Sequence, residues 1–370
     1  SSDLTVEKKT QEQSCLTYKF RSFKMKKQLL IAAVAATMTS AAMADISITG
    51  NSKFEYYNVD ISAAATYGSF TATASDSANY TNMETNLKII GKSGDTTAVV
   101  NMELNTHGDV ETAGAIDLED MYISTKVGDI GLKLGNYATG TSAILGEIDN
   151  GGRATNKVTA STTFSGVKVY VGDAGAAAGA GVTEVKGNMF YGVSADVAGF
   201  NVHAKHVSPT VDAFAISGEV SGLGIRLEQL NSDTTDQDVT FGNLTYAVND
   251  IDLGYAWIDA DSDGQITEDD SSIFAVENGL GTTSLGGDSN QQITIGTNVA
   301  GNAVTFKTGE IGFKLANVKD IEYNQINVSR PLASGATATV TYTGVSGGIT
   351  GAANVDVDAD VFEVDLSVKF

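Results

Sequence analysis

From Asp45 to the end of the chain, apolar and polar residues alternate with a period of two almost everywhere. That spacing belongs to β-strands with one oily and one wet face. The last ten residues, V-F-E-V-D-L-S-V-K-F, show it most cleanly: Phe362, Val364, Leu366, Val368 and Phe370 share one face, and Glu363, Asp365, Ser367 and Lys369 share the other. Taken alone, this stretch has a second reading as an ordinary amphipathic edge strand of a soluble sheet. At the start, Ile46, Ile48, Gly50, Phe54 and Tyr56 oppose Ser47, Thr49, Asn51, Lys53 and Glu55. Between these two strands lie eight pairs of alternating runs, each pair bent at a short Gly-, Asp- or Asn-bearing turn. The turns fall at Gly94-Asp95, Gly128-Asp129, Ser165-Gly166, Ala198-Gly199, Ser221-Gly222, Asn249-Asp250, Ala300-Gly301 and Ser334-Gly335. Eight hairpins with a first and a last strand predict an all-β antiparallel architecture of eighteen strands.

Connections within a pair are short, and those between pairs are longer and richer in Asp, Asn, Ser, Thr and Gly, the layout of a transmembrane β-barrel. No segment after Asp45 approaches eighteen consecutive apolar residues, so no helix is expected to cross a membrane. A closed barrel is the other route, because closure leaves no unpaired backbone in lipid. A soluble barrel of this size would need a very large interior filled with side chains, whereas barrels of sixteen or more strands hold a wet lumen. The polar positions, among them Lys53, Lys88, Glu103, Lys133, Lys168, Arg226 and Glu228, are therefore expected to face inward. Tyr56, Tyr191, Tyr246, Tyr255, Trp257 and Phe370 are candidates for the aromatic girdles at the two membrane interfaces. No fixed repeat of the kind a β-solenoid needs is present.

Met25-Lys-Lys, the apolar run Leu29–Ala36 and Ala42-Met43-Ala44 have the three parts of a secretory signal peptide, predicting cleavage after Ala44. Residues 1–24 begin with Ser and precede this start, and are read as non-native or mis-called leader, with a genuine cytoplasmic extension as the alternative. Removing residues 1–44 takes seven Lys/Arg from 23 and three Asp/Glu from 45, leaving 16 against 42, a net charge of −26. Such acidity argues against nucleic acid as a partner. The single cysteine, Cys15, lies in the removed part, which excludes a disulfide framework.

Three stretches carry a family resemblance. Leu87-Lys-Ile-Ile-Gly91 with Gly94-Asp95 is similar to the second and third strands of the general porins of Gram-negative outer membranes. Met121-Tyr-Ile-Ser-Thr-Lys-Val-Gly-Asp129 followed by Leu132-Lys-Leu-Gly135 resembles their fourth and fifth. Arg153-Ala-Thr-Asn156-Lys-Val158 followed by Phe164-Ser-Gly166-Val resembles the strand after their constriction loop. The resemblance implies an outer-membrane barrel for residues 45–370, embedded in outer-membrane lipid, assembled as a homotrimer and recognised by the barrel-assembly machinery through Phe370. It places a pore-narrowing loop at 136–152, with Glu147 and Asp149 set against basic residues on the facing wall, for which Lys53, Lys88, Lys133 and Arg153 are the candidates. Ordinary solvated charge in a wet lumen is the alternative for each. Two features depart from the family: Asn136 stands where it carries Arg, and its norm is sixteen strands where eighteen are counted here. The net charge favours cation preference, since a cavity lined by one sign concentrates the other.

After Trp257, within a stretch (259–288) expected to be an extracellular loop, the chain runs D-A-D-S-D-G-Q-I-T-E-D-D. Asp259, Asp261, Asp263, Gln265, Thr267 and Asp270 fall on the ligand positions of a calcium loop, with Gly264 at the sharp turn. The twelfth position is Asp rather than Glu, and an acidic solvated loop is the alternative to bound Ca2+. No other cofactor is expected. The three histidines, His107, His203 and His206, sit in no catalytic pattern, so no enzyme is predicted. Passive diffusion of ions and small hydrophilic solutes is the leading expectation, with a substrate-specific channel or a structural or adhesive surface barrel as alternatives.

Overall fold

In the computed structural model, the described residues are 45–67, 70–105, 116–137, 157–174, 188–207, 211–232, 237–260, 273–276, 289–313, 317–350 and 354–370. They form eighteen strands. The first nine are β1 (Asp45–Tyr67), β2 (Phe70–Ser93), β3 (Thr96–Asn105), β4 (Ile116–Val127), β5 (Ile130–Asn136), β6 (Lys157–Phe164), β7 (Val167–Ala174), β8 (Asn188–Val197) and β9 (Phe200–Val207). The rest are β10 (Val211–Val220), β11 (Leu223–Ser232), β12 (Gln237–Val248), β13 (Ile251–Ala260), β14 (Ser289–Val299), β15 (Asn302–Gly312), β16 (Val318–Pro331), β17 (Ala336–Ile349) and β18 (Asn354–Lys369). Each pairs antiparallel with its neighbours in sequence, and β18 returns to β1, closing the sheet. Eighteen is thus the strand number, not the sixteen of the resemblance.

All eight predicted turns join strands at one end of the barrel. At Ala198-Gly199 and Ser221-Gly222 both central residues have positive φ (53° and 88°, 53° and 81°), as in the type I′ turns whose twist matches that of the flanking strands. The ends of the chain meet at the same rim: the Gly50 N–H donates to the Phe370 carbonyl (2.8 Å) and the Phe370 N–H to the Gly50 carbonyl (3.0 Å). A Cβ on Gly50 would lie 2.8 Å from the Phe370 ring, so glycine is what lets this ring lie on β1.

The outward face is the apolar one. Phe164 is 78 % exposed and Ile48 58 %, and comparably large residues repeat on every second position around the circumference, including Ile123, Val193, Ile295, Val340 and Leu366. A belt of this extent is a lipid-facing surface rather than a water-facing one. Inward positions carry Lys53, Glu55, Asn82, Glu84, Lys133, Tyr170, Lys205, Gln292, Tyr323 and Glu363, which the registers place on one common face.

The opposite rim differs from the sequence reading. β1 and β2 run as a ribbon as far as Tyr67 and Phe70, joined by only two residues, where a long loop was expected between Tyr56 and Leu87. Val59–Ala65 and Thr71–Ala78 are mostly Ala, Ser, Thr and Asp on both faces. Above the lipid a strand has water on both sides, so nothing imposes the alternation by which it would be recognised. The far end of β18 behaves likewise, with Asp356, Asp358 and Asp360 all exposed on its outer face.

Candidate functional site

The lumen wall gathers a cluster of carboxylates on one side and a mainly basic stretch on another. On β18, β1 and β2 stand Glu363, Asp365, Glu55 and Glu84; one carboxylate oxygen from each of Glu363, Asp365 and Glu55 lies within 4.8 Å of the others. Glu55 is buried at 3 % exposure and well held. Tyr57 donates to its Oε1 (2.8 Å), Asn82 donates to its Oε2 (2.9 Å), and the Lys53 ammonium sits 2.5 Å away. Tyr57 is itself fixed by stacking on Tyr80, with centroids 4.6 Å apart.

Across β5 to β11 the charged positions are mainly basic: Lys133, Lys157, Lys168, Lys205 and Arg226, with His203 among them. Lys133 is clasped between aromatic faces, its Nζ 3.9 Å from the Tyr122 centroid and 4.0 Å from that of Tyr137, contacts that favour a cation. The buried Lys157 donates to the Tyr137 carbonyl (2.9 Å), while the Tyr137 hydroxyl pairs with Thr159 Oγ1 (2.6 Å). Lys205 lies near the Phe190 ring, within electrostatic reach of Lys157 and of the buried Glu228. Tyr170 and His203 share a hydrogen bond of 2.8 Å.

Gly135 lies against the backbone of Tyr122, beside this cluster. Its φ is +133°, and a Cβ there would fall 2.2 Å from the Met121 carbonyl oxygen and 2.8 Å from the Tyr122 Cα. The clash is with backbone, which cannot swing away, so Gly135→Ala is expected to cost about 1–3 kcal/mol. The check is the urea midpoint of the refolded barrel; Gly94→Ala, a turn position with open space around it, should move that midpoint less.

A third component comes from the connection between β13 and β14. Ile273–Val276 lies inside the barrel against the inner wall. Phe274 is 4 % exposed and packs with Leu230, Val239, Phe241, Ala256, Ile258 and Ala260; Val276 packs with Ile311 and Tyr323. Gln292 accepts from the Ala275 N–H and donates to the Ile273 carbonyl, both at 2.6 Å, and Asn290 donates to the Val276 carbonyl at 3.0 Å. Four residues of the stretch 259–288, expected to be an extracellular loop, thus lie on the inner wall and narrow the lumen.

Of the residues proposed from sequence, Lys133 stands on the basic side. Lys88 faces inward on β2, within electrostatic reach of Lys133. Lys53 faces inward on β1 as the ion-pair partner of Glu55. Glu147, Asp149 and Arg153 lie outside the described residues. Asp259 is an exposed residue of β13, with Thr240 and Ser289 as register partners; Asp261, Asp263, Gln265, Thr267 and Asp270, like residues 1–44, lie outside the described residues.

Sequence reasoning missed Lys157, Lys205 and the inward strap. A signal for the strap was present. The apolar phase flips within β12, where Leu244 and Tyr246 face out but Val239 and Phe241 face in, and within β13, where Tyr255 faces out but Ile258 and Ala260 face in. Inward apolar residues in a wet lumen call for a cover, and Phe274 supplies it.

No protein-family model matches the chain, and none of the curated proteins matches it in sequence. Solved structures do match in fold. Pseudomonas aeruginosa OccK9 (OpdG) aligns with a TM-score of 0.53 at 10 % identity, over 87 % of this chain and 98 % of that one. OpdL of the same organism gives 0.52 at 11 % identity over 86 % and 99 %. OpdK, solved with vanillate, gives 0.51 at 11 % over 85 % and 98 %. What this chain shares with them at such identities is the fold, a closed antiparallel β-barrel.

Proposed function

We propose that this chain forms a water-filled channel in the outer membrane through which ions and small hydrophilic solutes diffuse passively. The observation that carries the reading is the inversion of the barrel: a closed eighteen-stranded wall, apolar outside, with acidic and basic side chains inside. No bond is made or broken; the width and field of the lumen sort solutes. Liposome swelling tests it. Vesicles carrying the refolded chain should swell in isotonic solutions of small neutral solutes at rates that fall with solute size. Swelling no faster than that of empty vesicles would overturn the proposal.

Cation preference draws no support from the lumen. Much of the acid excess stands elsewhere, at exposed positions such as Asp95, Asp129, Asp212, Asp238, Asp259, Asp356, Asp358 and Asp360, while the wall carries both signs. The field inside is set by local charge, not by the charge of the whole chain. The basic run Lys133–Lys157–Lys205, flanked by Tyr122, Tyr137, Tyr170 and Phe190, favours a second reading, a channel selective for carboxylate solutes. The vanillate of the OpdK structure is a solute of that kind. Carboxylates that swell vesicles faster than neutral solutes of equal size would support this second reading, and equal rates would remove it.

A further inference from the structure

The strap is bound as a peptide is bound. The side-chain amide of Gln292 takes the carbonyl of Ile273 and the N–H of Ala275, the two groups that flank Phe274. A strand paired in parallel register offers that same pair of contacts to its neighbour, so Gln292 reads backbone and is indifferent to the side chains of residues 273 and 275. Asn290 adds the Val276 carbonyl, and Gln325 reaches the Ala275 carbonyl at 3.5 Å.

These amides are set in advance by the wall. Asn290 is 0 % and Gln292 1 % exposed. The Tyr323 hydroxyl donates to Asn290 Oδ1 (2.7 Å), which turns the Asn290 NH2 towards the strap, and Gln292 also donates to Thr294 Oγ1 (3.1 Å). Where main-chain groups are held by fixed partners and one side chain drops into a pocket, the first contacts supply affinity and the pocket supplies selectivity. The pocket here is the apolar cleft that closes over Phe274.

We propose that the inner wall over β14 is a peptide-backbone recognition site, filled in cis by Ile273–Val276 and taking in trans an extended, uncharged peptide whose second residue is aromatic. The proposal rests on the channel reading for the route by which a peptide arrives. Gln292 and Asn290 have no preference for the chain's own backbone over another, and the cleft asks only for a ring at the second position.

The test is calorimetric titration of the detergent-solubilised barrel with acetyl-Ile-Phe-Ala-Val-amide. Two variants weaken the cis occupant: Phe274→Gly empties the cleft, and Ala275→Pro removes the N–H that Gln292 accepts. Both lie outside the strands, and heat-modifiable migration on gels confirms folding of each. Saturable binding is expected in both variants, at least tenfold tighter than in the parent, where the strap competes at high effective concentration. It should weaken at least tenfold for acetyl-Ile-Asp-Ala-Val-amide and vanish when Gln292→Leu is added. Absence of saturable binding in folded variants, equal binding of the Asp peptide, or indifference to Gln292→Leu would each overturn the proposal. Calorimetry needs no open pore: binding without conduction would count against the channel alone, and conduction without binding against this site alone.

Discussion

Val340→Arg is expected to destabilise the folded barrel by about 2–4 kcal/mol in a bilayer, while Thr339→Arg, one residue away, is expected to change it by less than about 1 kcal/mol. Val340 points outward, paired with Val328 and Val364, and is 40 % exposed. A guanidinium there must be drawn into hydrocarbon or pull water after it, and neither has a compensating partner on that face. Thr339 points inward, opposite Asp365, whose Oδ1 is buried and makes no hydrogen bond. An arginine at 339 would stand on the polar inner wall, where it could donate to the Asp365 carboxyl. A soluble barrel with an apolar interior would reverse the order. Urea unfolding in lipid vesicles, followed by the gel shift of the folded form, measures both variants.

The second large effect concerns charge. Lys133→Gln with Lys157→Gln should shift the reversal potential in a salt gradient towards cations, and Glu363→Gln with Asp365→Asn should shift it towards anions. At the ~5–7 Å separations of an ion passing a wall charge, each charge is worth about 0.6–0.8 kcal/mol even at the dielectric constant of water. That is about a threefold change in local ion concentration per charge, so each pair is expected to move the permeability ratio by about three- to tenfold. Opposite signs are the essential part. Shifts in the same direction would mean that the two clusters do not face one lumen. Both effects should shrink at 1 M salt, where the screening length falls to about 3 Å.

Most of the barrel was legible in sequence because lipid on one side and water on the other stamp a period of two onto every segment inside the membrane. The turn at Ser221-Gly222 and the alternation of Phe214–Leu227 around it fixed β10 and β11 with little ambiguity. Legibility stopped where that asymmetry stopped. The upper halves of β1 and β2 have water on both faces, so the Ala-, Ser- and Thr-rich stretch from Val59 to Ala78 read as loop although it pairs to its tip. The lumen residues were harder for a different reason. Parity tells that Lys53 and Lys133 both face inward, but not that Lys53 would be matched by Glu55 on its own strand while Lys133 met two tyrosines. Which inward residues meet depends on register across many strands, and no local pattern records it. The strap left only an indirect trace, the inward turn of Phe241 and Ile258, because its recognition is mostly through backbone groups that every sequence possesses.

Single-channel recording tests the central claim most directly. The chain from residue 45 to 370, refolded and inserted into a planar bilayer, is predicted to give discrete, lasting conductance steps, and steps that come in threes would mark a trimer. Silence from protein that is folded by the gel-shift criterion would contradict a water-filled channel, and would leave an inverted barrel whose lumen is shut.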